Sequence, residues 1–284
     1  MEVWKTMNKK MMLSFVLGGL IFSCITVYAA YKYQASEVGY TPSNSNFKVD
    51  NVEDAIEELY NNGYYKVGTA IYYNPVSNTK CSESQVTTNY TENGNNGIPT
   101  EIKTGCMKWY VIHDDGDKVS VILDHNTTAV KSWKTNGSNV IYAESDIKAD
   151  IDALVTVSKW VVEPRLITVI EINTITDKTN FDSTNPYFYY YFNDSSNSQE
   201  LKKISKGSSK YAWLYDYTSG CEEYGCNVED SSNTGYWTND PITSNSAKVW
   251  GVGSRGMLGD PYAANTYSSI GVRPVITISK SIIK

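Results

Sequence analysis

The C-terminal end of the chain carries the pattern that most constrains the fold. Residues 271–279 form a β-branched run bounded by glycine and by a charged tail, which predicts a final buried strand. Residues 249–252 predict a strand before it. Residues 254–256 predict a tight turn, because glycine permits the positive φ that such turns need. Arg273 lies inside the apolar run and must find a partner, since an unpaired buried guanidinium is costly.

The middle of the chain predicts further strands. Residues 66–73 alternate weakly before Asn74-Pro75, and residues 76–105 predict a long loop. Residues 108–112 and 118–123 flank a run of Asp and Gly, which indicates a hairpin. In the second of these strands, Val119, Val121 and Leu123 share one face.

Two helices are predicted between these strands and the C-terminal ones. The first has an apolar face, and the second begins at a capping box formed by Thr168 and Glu171. Its apolar face continues with Ile172 and Ile175. The face of the first helix consists of Ile147, Ile151, Leu154 and Val155. The expected class is therefore α+β, with two helices beside a mainly antiparallel sheet.

A resemblance sharpens this expectation. The segments Gly235-Tyr-Trp-Thr, Trp250-Gly-Val and Gly271-Val-Arg-Pro-Val-Ile resemble the C-terminal half of the C-type-lectin-like fold. They are similar to surface proteins of gut Firmicutes with a domain related to the formylglycine-generating enzyme. The resemblance covers roughly residues 105–280 and implies a lectin-like domain over residues 66–284. In that fold the first and last strands pair, which predicts that residues 67–73 lie against residues 272–278.

The N-terminus predicts export. Lys5, Lys9 and Lys10 precede an uncharged, mostly apolar run over residues 11–30. This pattern is typical of a signal peptide, and the run is also long enough to be an uncleaved membrane anchor. In both cases the remainder of the chain lies outside the membrane.

A polar stalk over residues 31–65 is expected to contain a short helix over residues 50–60. Val52, Ile56 and Leu59 recur at helical spacing within it. A helix of about 10 residues is too short to be stable alone. It must pack on its own domain or on other copies of the chain, as in a homo-oligomer.

Four cysteines follow the N-terminal run. Pairing each with its nearest partner in sequence predicts the disulfides Cys81–Cys106 and Cys221–Cys226. A four-cysteine zinc site is the alternative, but its close-set cysteine pairs are absent. The net charge of −6 argues against nucleic acid as a partner.

No catalytic motif is recognised in the sequence, and no cofactor is required. The late cysteines depart from the arrangement of the formylglycine-generating enzyme, and His125 is interpreted as a loop residue. Calcium is the one metal with candidate ligands, because it prefers carboxylate and amide oxygens. Asn239 and Asp240 are such candidates. The Asp residues at 114–117 are interpreted as a solvated turn.

The predicted function is that of a surface-displayed adhesion protein. It would recognise a glycan or protein ligand through the loops between the late strands. Tyrosine and asparagine there offer contact area and adaptable hydrogen bonds. The candidate ligand-binding residues are Arg255, Tyr262, Asn265 and Tyr267. The alternatives are an envelope enzyme, either a formylglycine-type oxidase or a hydrolase, and a structural subunit of a surface appendage.

Overall fold

A computed structural model describes residues 38–39, 41, 49–86, 104–127, 131–135, 140–178, 182, 185, 189–193, 204–229, 233–242, 247–263 and 270–284. The chain divides into two compact units, residues 1–64 and residues 65–284. The predicted membrane segment over residues 11–30 lies outside the described residues. Among the described helices, none has the length and apolar character needed to cross a membrane.

The first unit contains helix α1, Val52–Asn62. It begins two residues later than predicted. Asn51 caps it, because the side-chain oxygen of Asn51 accepts a hydrogen bond from the backbone N–H of Asp54 at 2.9 Å. Ala55 is buried, whereas Ile56 on the same helix is 59% exposed. Association of copies through this helix stays a prediction.

The second unit contains ten strands and four α-helices among its described residues. The strands are β1 (Ala70–Asn74), β2 (Thr79–Lys80), β3 (Met107–Asp114), β4 (Lys118–Leu123), β5 (Tyr190–Tyr191), β6 (Gly235–Pro241), β7 (Lys248–Gly253), β8 (Met257–Ala263), β9 (Ile270–Gly271) and β10 (Val275–Ser279). The helices are α2 (Asp146–Thr156), α3 (Val169–Thr176), α4 (Ala212–Tyr215) and α5 (Lys280–Ile283). The α+β class is therefore confirmed.

The strands form two five-stranded sheets. The first sheet has the order β10-β4-β3-β1-β2, and all of its neighbours are antiparallel. The second has the order β5-β8-β7-β6-β9, in which only the β6–β9 pair is parallel. The predicted β3–β4 hairpin is present, and the predicted turn over residues 254–256 joins β7 to β8.

The predicted pairing of residues 67–73 with residues 272–278 is wrong. Strand β10 pairs with β4, so that β4 and β3 lie between it and β1. In this register Ile276 and Ile278 stand opposite Val121 and Val119, which extends one apolar face of the sheet. The ends of the unit still meet, because the hydroxyl of Tyr65 donates to the backbone oxygen of Ile283 at 3.1 Å.

The final β-branched run belongs to both sheets. Gly271 pairs with Tyr236 in the second sheet, and Val275 pairs with Ile122 in the first. The predicted single strand is therefore two short strands, β9 and β10, and the chain crosses from the second sheet to the first between them. Arg273 lies at this crossing and is 1% exposed.

Two apolar clusters fill the unit. One contains Trp109 of β3, the buried face of α2 and Trp237 of β6, and the other contains Trp250 of β7 and the buried face of α3. Val155 was predicted on the apolar face of α2 but is 40% exposed. The capping box at the start of α3 is present as predicted.

Asp114 is not solvated, which corrects the interpretation of its turn. Its side chain is fully buried, and one carboxylate oxygen lies 2.7 Å from the amino group of Lys280, whose side chain is 3% exposed. The other oxygen accepts a hydrogen bond from the backbone N–H of Tyr65 at 2.7 Å. This ion pair joins the start of the unit, the β3–β4 hairpin and the C-terminal helix α5.

Candidate functional site

The strongest candidate site lies on the face of the first sheet that is turned towards α4. We call it the Lys108 patch and define it by Tyr72, Lys108, Tyr110 and Trp213. Tyr72 of β1 and Lys108 of β3 stand directly opposite each other in the sheet. Tyr110 lies two residues further along β3, so its side chain points to the same face. The three side chains are half-buried, so parts of them reach solvent.

Aromatic contacts hold the patch together. The rings of Tyr110 and Trp213 have their centres 5.6 Å apart with 34° between their planes. The amino group of Lys108 lies 5.2 Å from the centre of the Tyr110 ring. Such contacts fix the orientation of the rings before any ligand arrives.

Gly68 and the side chain of Arg273 position Trp213. Gly68 has φ of +85°, and a Cβ there would lie 2.8 Å from the indole nitrogen of Trp213. Only glycine therefore allows β1 to begin so close to this ring. Arg273 donates to the backbone oxygens of Trp213 at 2.7 Å and Leu214 at 2.9 Å, and it also donates to Leu123. The guanidinium thereby joins α4 to the end of β4.

The electrostatics of the patch keep its polar groups protonated. Burial alone lowers the pKa of Lys108, but Tyr110, Asp124 and Tyr72 outweigh burial and raise that pKa above its ordinary value. Burial is the main cause of the raised pKa of Tyr110, and Asp124 adds to it. Burial also raises the pKa of Tyr72, and the nearby Glu83 adds to this. At neutral pH the patch presents one ammonium and two neutral phenols.

A buried polar pair lies beside the patch. The backbone N–H of Asp124 donates a hydrogen bond to the backbone oxygen of Lys108 at 3.1 Å. The Asp124 carboxylate also attracts the charged side chain of Lys108. The Asp124 carboxylate also contacts Nδ1 of His125, and both residues are at most 2% exposed. The imidazole packs edge-on against Tyr217, whose φ of +65° is unusual for a tyrosine. His125 lies in the loop that follows β4, as predicted, and its side chain is buried there.

The four predicted ligand-binding residues do not all lie in one place. Arg255 is exposed in the turn between β7 and β8. Tyr262 lies opposite Val249 towards the far end of that hairpin, about 17 Å along β8 from the turn. Asn265 and Tyr267 lie outside the described residues. Ligand binding by these residues stays a prediction.

The two predicted calcium ligands lie in β6. One carboxylate oxygen of Asp240 accepts a hydrogen bond from the N–H of Val169 at 2.7 Å, at the start of α3. Burial raises the pKa of Asp240, and the nearby Glu171 adds to this. The described residues contain no group of three or more His, Cys, Asp or Glu that could hold a metal ion. Calcium at Asn239 and Asp240 stays a prediction.

Both predicted disulfides are present. Cys81 bonds to Cys106 and thereby closes the long loop, and Cys221 bonds to Cys226 across a short 3-10 turn. Cys221 and Cys226 are fully buried. They are cross-linked and shielded from solvent, so they resemble a structural pair rather than a reactive one.

Sequence reasoning missed the Lys108 patch. The alternation of Lys108, Trp109 and Tyr110 is a signal, since it places the lysine and the tyrosine on the face opposite the core tryptophan. Trp213 lies more than a hundred residues away in sequence, and no local pattern connects it to β3.

Comparison with known protein families, with curated proteins and with solved structures finds no match to the chain.

Proposed function

We propose that this protein is an extracytoplasmic, surface-displayed binding protein that recognises a glycan or protein ligand outside the cell. The proposal includes a C-type-lectin-like domain, held at the membrane by an N-terminal anchor over residues 11–30 or released after cleavage. The mixed α+β unit and its two disulfides are consistent with it. Disulfides form and persist in oxidising compartments, which supports the location.

The observation that carries the binding role is the geometry of the Lys108 patch, where the partly exposed Tyr72 and Lys108 stand opposite each other and the Lys108 ammonium lies 5.2 Å from the centre of the Tyr110 ring. A general base or a nucleophile needs a pKa near the working pH or below its ordinary value. The pKa values of Lys108, Tyr72 and Tyr110 are all raised instead. A cation and two neutral phenols are hydrogen-bond donors that do not transfer protons near neutral pH. The patch therefore suits recognition better than catalysis.

The alternative of a formylglycine-type oxidase receives less support. That role requires an accessible thiol late in the domain. Cys221 and Cys226 are instead bonded to each other and fully buried. The Asp124–His125 pair is also buried, at 2% and 1% exposure, so a substrate has no direct access to the imidazole.

Two measurements on the full-length chain with a C-terminal tag test the proposal. Protease added to intact cells should remove the tag, and a tag that is protected until the cells are lysed would contradict the location. The purified, oxidised chain should bind to envelope polysaccharide or to whole bacterial or host cells. Absence of binding to all of these surfaces would contradict the recognition role. Lys108→Met should weaken binding, whereas the exposed control Lys159→Met should not.

A further inference from the structure

We propose that the Lys108 patch binds a neutral sugar ring of a surface glycan. This inference rests on the proposed binding function and assigns its ligand class and its place on the fold. Two of the residues that the sequence favoured, Arg255 and Tyr262, lie on the β7–β8 hairpin of the other sheet.

The chemistry of the patch matches both surfaces of a sugar. A pyranose has an apolar face of C–H groups and a rim of hydroxyls. Tyr72 and Tyr110 offer partly exposed aromatic rings for the apolar face. The ammonium of Lys108 and the phenol hydroxyls offer donors for the rim. A small number of placed polar groups among aromatic side chains is typical of small-ligand sites.

The charge balance of the patch favours a neutral ligand. Asp124, which is buried beside Lys108, attracts the positive charge of that lysine. The exposed Glu83 interacts electrostatically with Tyr72, which places a second carboxylate beside the patch. An acidic sugar would approach both carboxylates, and a cationic ligand would meet Lys108. A neutral sugar gains hydrogen bonds without opposing either charge.

The size and rigidity of the patch favour a sugar over a protein. Tyr72 and Lys108 lie on adjacent strands about 5 Å apart, and Tyr110 lies about 7 Å from Lys108 along β3. A stable protein interface buries about 800 Å² on each partner. Tyr72, Lys108 and Tyr110 project from strands, and strands hold a binding geometry more firmly than loops do. One or two sugar rings fit these dimensions.

The test is a titration of the full-length, oxidised protein with methyl glycosides of glucose, galactose, mannose and N-acetylglucosamine. Glucuronic acid and sialic acid serve as charged probes. Saturation-transfer NMR reports binding, and tryptophan fluorescence reports on Trp213 and the other indoles. We expect at least one neutral glycoside to bind, with an affinity that changes less than about twofold between about 0.05 and 0.5 M NaCl, because screening acts on charges.

Variants locate the site. Tyr72→Ala should weaken binding about tenfold through loss of ring contact, and Lys108→Met should weaken it as well. Tyr189→Ala is the matched control, since Tyr189 is 53% exposed and belongs to the segment before β5. Its affinity should equal that of the wild type. Far-UV circular dichroism and the unfolding midpoint of each variant report whether the fold is intact.

Four outcomes overturn the inference. Binding of neutral glycosides that survives both patch variants would place the site elsewhere. Exclusive, strongly salt-dependent binding of the acidic sugars would refute a neutral ligand. Failure of every glycoside, with patch-dependent binding to cells retained, would refute the sugar but leave the binding function. Failure of every glycoside and every cell surface would refute the proposed function itself.

Discussion

Replacement of Arg273 by methionine should destabilise the second unit severely. The guanidinium is 1% exposed and donates hydrogen bonds to three backbone oxygens, those of Leu123, Trp213 and Leu214. Methionine fills a similar volume but donates nothing. Each buried acceptor left without a donor costs about 1–3 kcal/mol. Some of this is offset because a buried charge is also removed.

The net loss for Arg273→Met should be about 3–5 kcal/mol in the free energy of unfolding. That is a large share of the 5–15 kcal/mol typical of a folded domain. Arg273→Lys should lose nearly as much, because one ammonium cannot reproduce donors that point from three nitrogens of a planar group. Because the guanidinium also lies 5.2 Å from the centre of the Tyr236 ring, Arg273→Met additionally loses that cation–π contact.

Urea unfolding of the oxidised protein, followed by tryptophan fluorescence and by far-UV circular dichroism, measures this loss. Arg255→Met is the matched control, since Arg255 is exposed in a turn. Its stability should change by less than about 0.5 kcal/mol. If Arg273→Met costs less than about 1 kcal/mol, the three carbonyls do not depend on the guanidinium and the reasoning is refuted.

Three further predictions concern stability. Lys280→Met leaves the buried Asp114 carboxylate without its cation and should cost about 3–5 kcal/mol, and a loss below about 1 kcal/mol in urea unfolding would argue against a buried ion pair. Replacing Cys81 and Cys106 by serine should cost about 3.5 kcal/mol in the free energy of unfolding, and replacing Cys221 and Cys226 about 2 kcal/mol. The order follows because the entropy of loop closure grows with the sequence separations, which are 25 and 5. Equal losses in thermal unfolding would contradict this order. Burial opposes the charge on Glu171, but hydrogen bonds from Arg165 and Thr168 outweigh burial and lower the pKa of Glu171. The contribution of Glu171 to the stability of the fold is therefore present above pH 4.5 and is lost as the pH falls through the lowered pKa. Glu171→Gln should therefore cost about 1 kcal/mol at pH 7 and show a weaker fall in stability below pH 4.5, and an unchanged pH profile would contradict the assigned role.

Local patterns predicted the elements that depend on neighbours in sequence. The capping box at Thr168 and the apolar face of β4 follow from spacings of two to four residues, and both are present. Both disulfides followed from the nearest-partner rule. Such features are determined by residues that are close in sequence, so predicting them needs little information from the rest of the chain.

Long-range pairings were beyond the same reasoning. The partner of β10 is β4 rather than β1, because the choice depends on which apolar faces complete one core. Asp114 looked like a solvated turn residue because its cation, Lys280, lies at the other end of the domain in sequence. The Lys108 patch was missed for the same reason, since Trp213 reaches it from a distant segment.

Hydrogen–deuterium exchange of the full-length protein, with and without the envelope polysaccharide or neutral glycoside that it binds, tests the central claim most directly. The account predicts that the ligand protects backbone amides of β1 and β3 around Tyr72 and Lys108. Lys108→Met should reduce that protection at the same ligand concentration. Protection confined to the turn at Arg255 and to residues 260–269 would place the ligand on the late loops and contradict the assignment of the Lys108 patch.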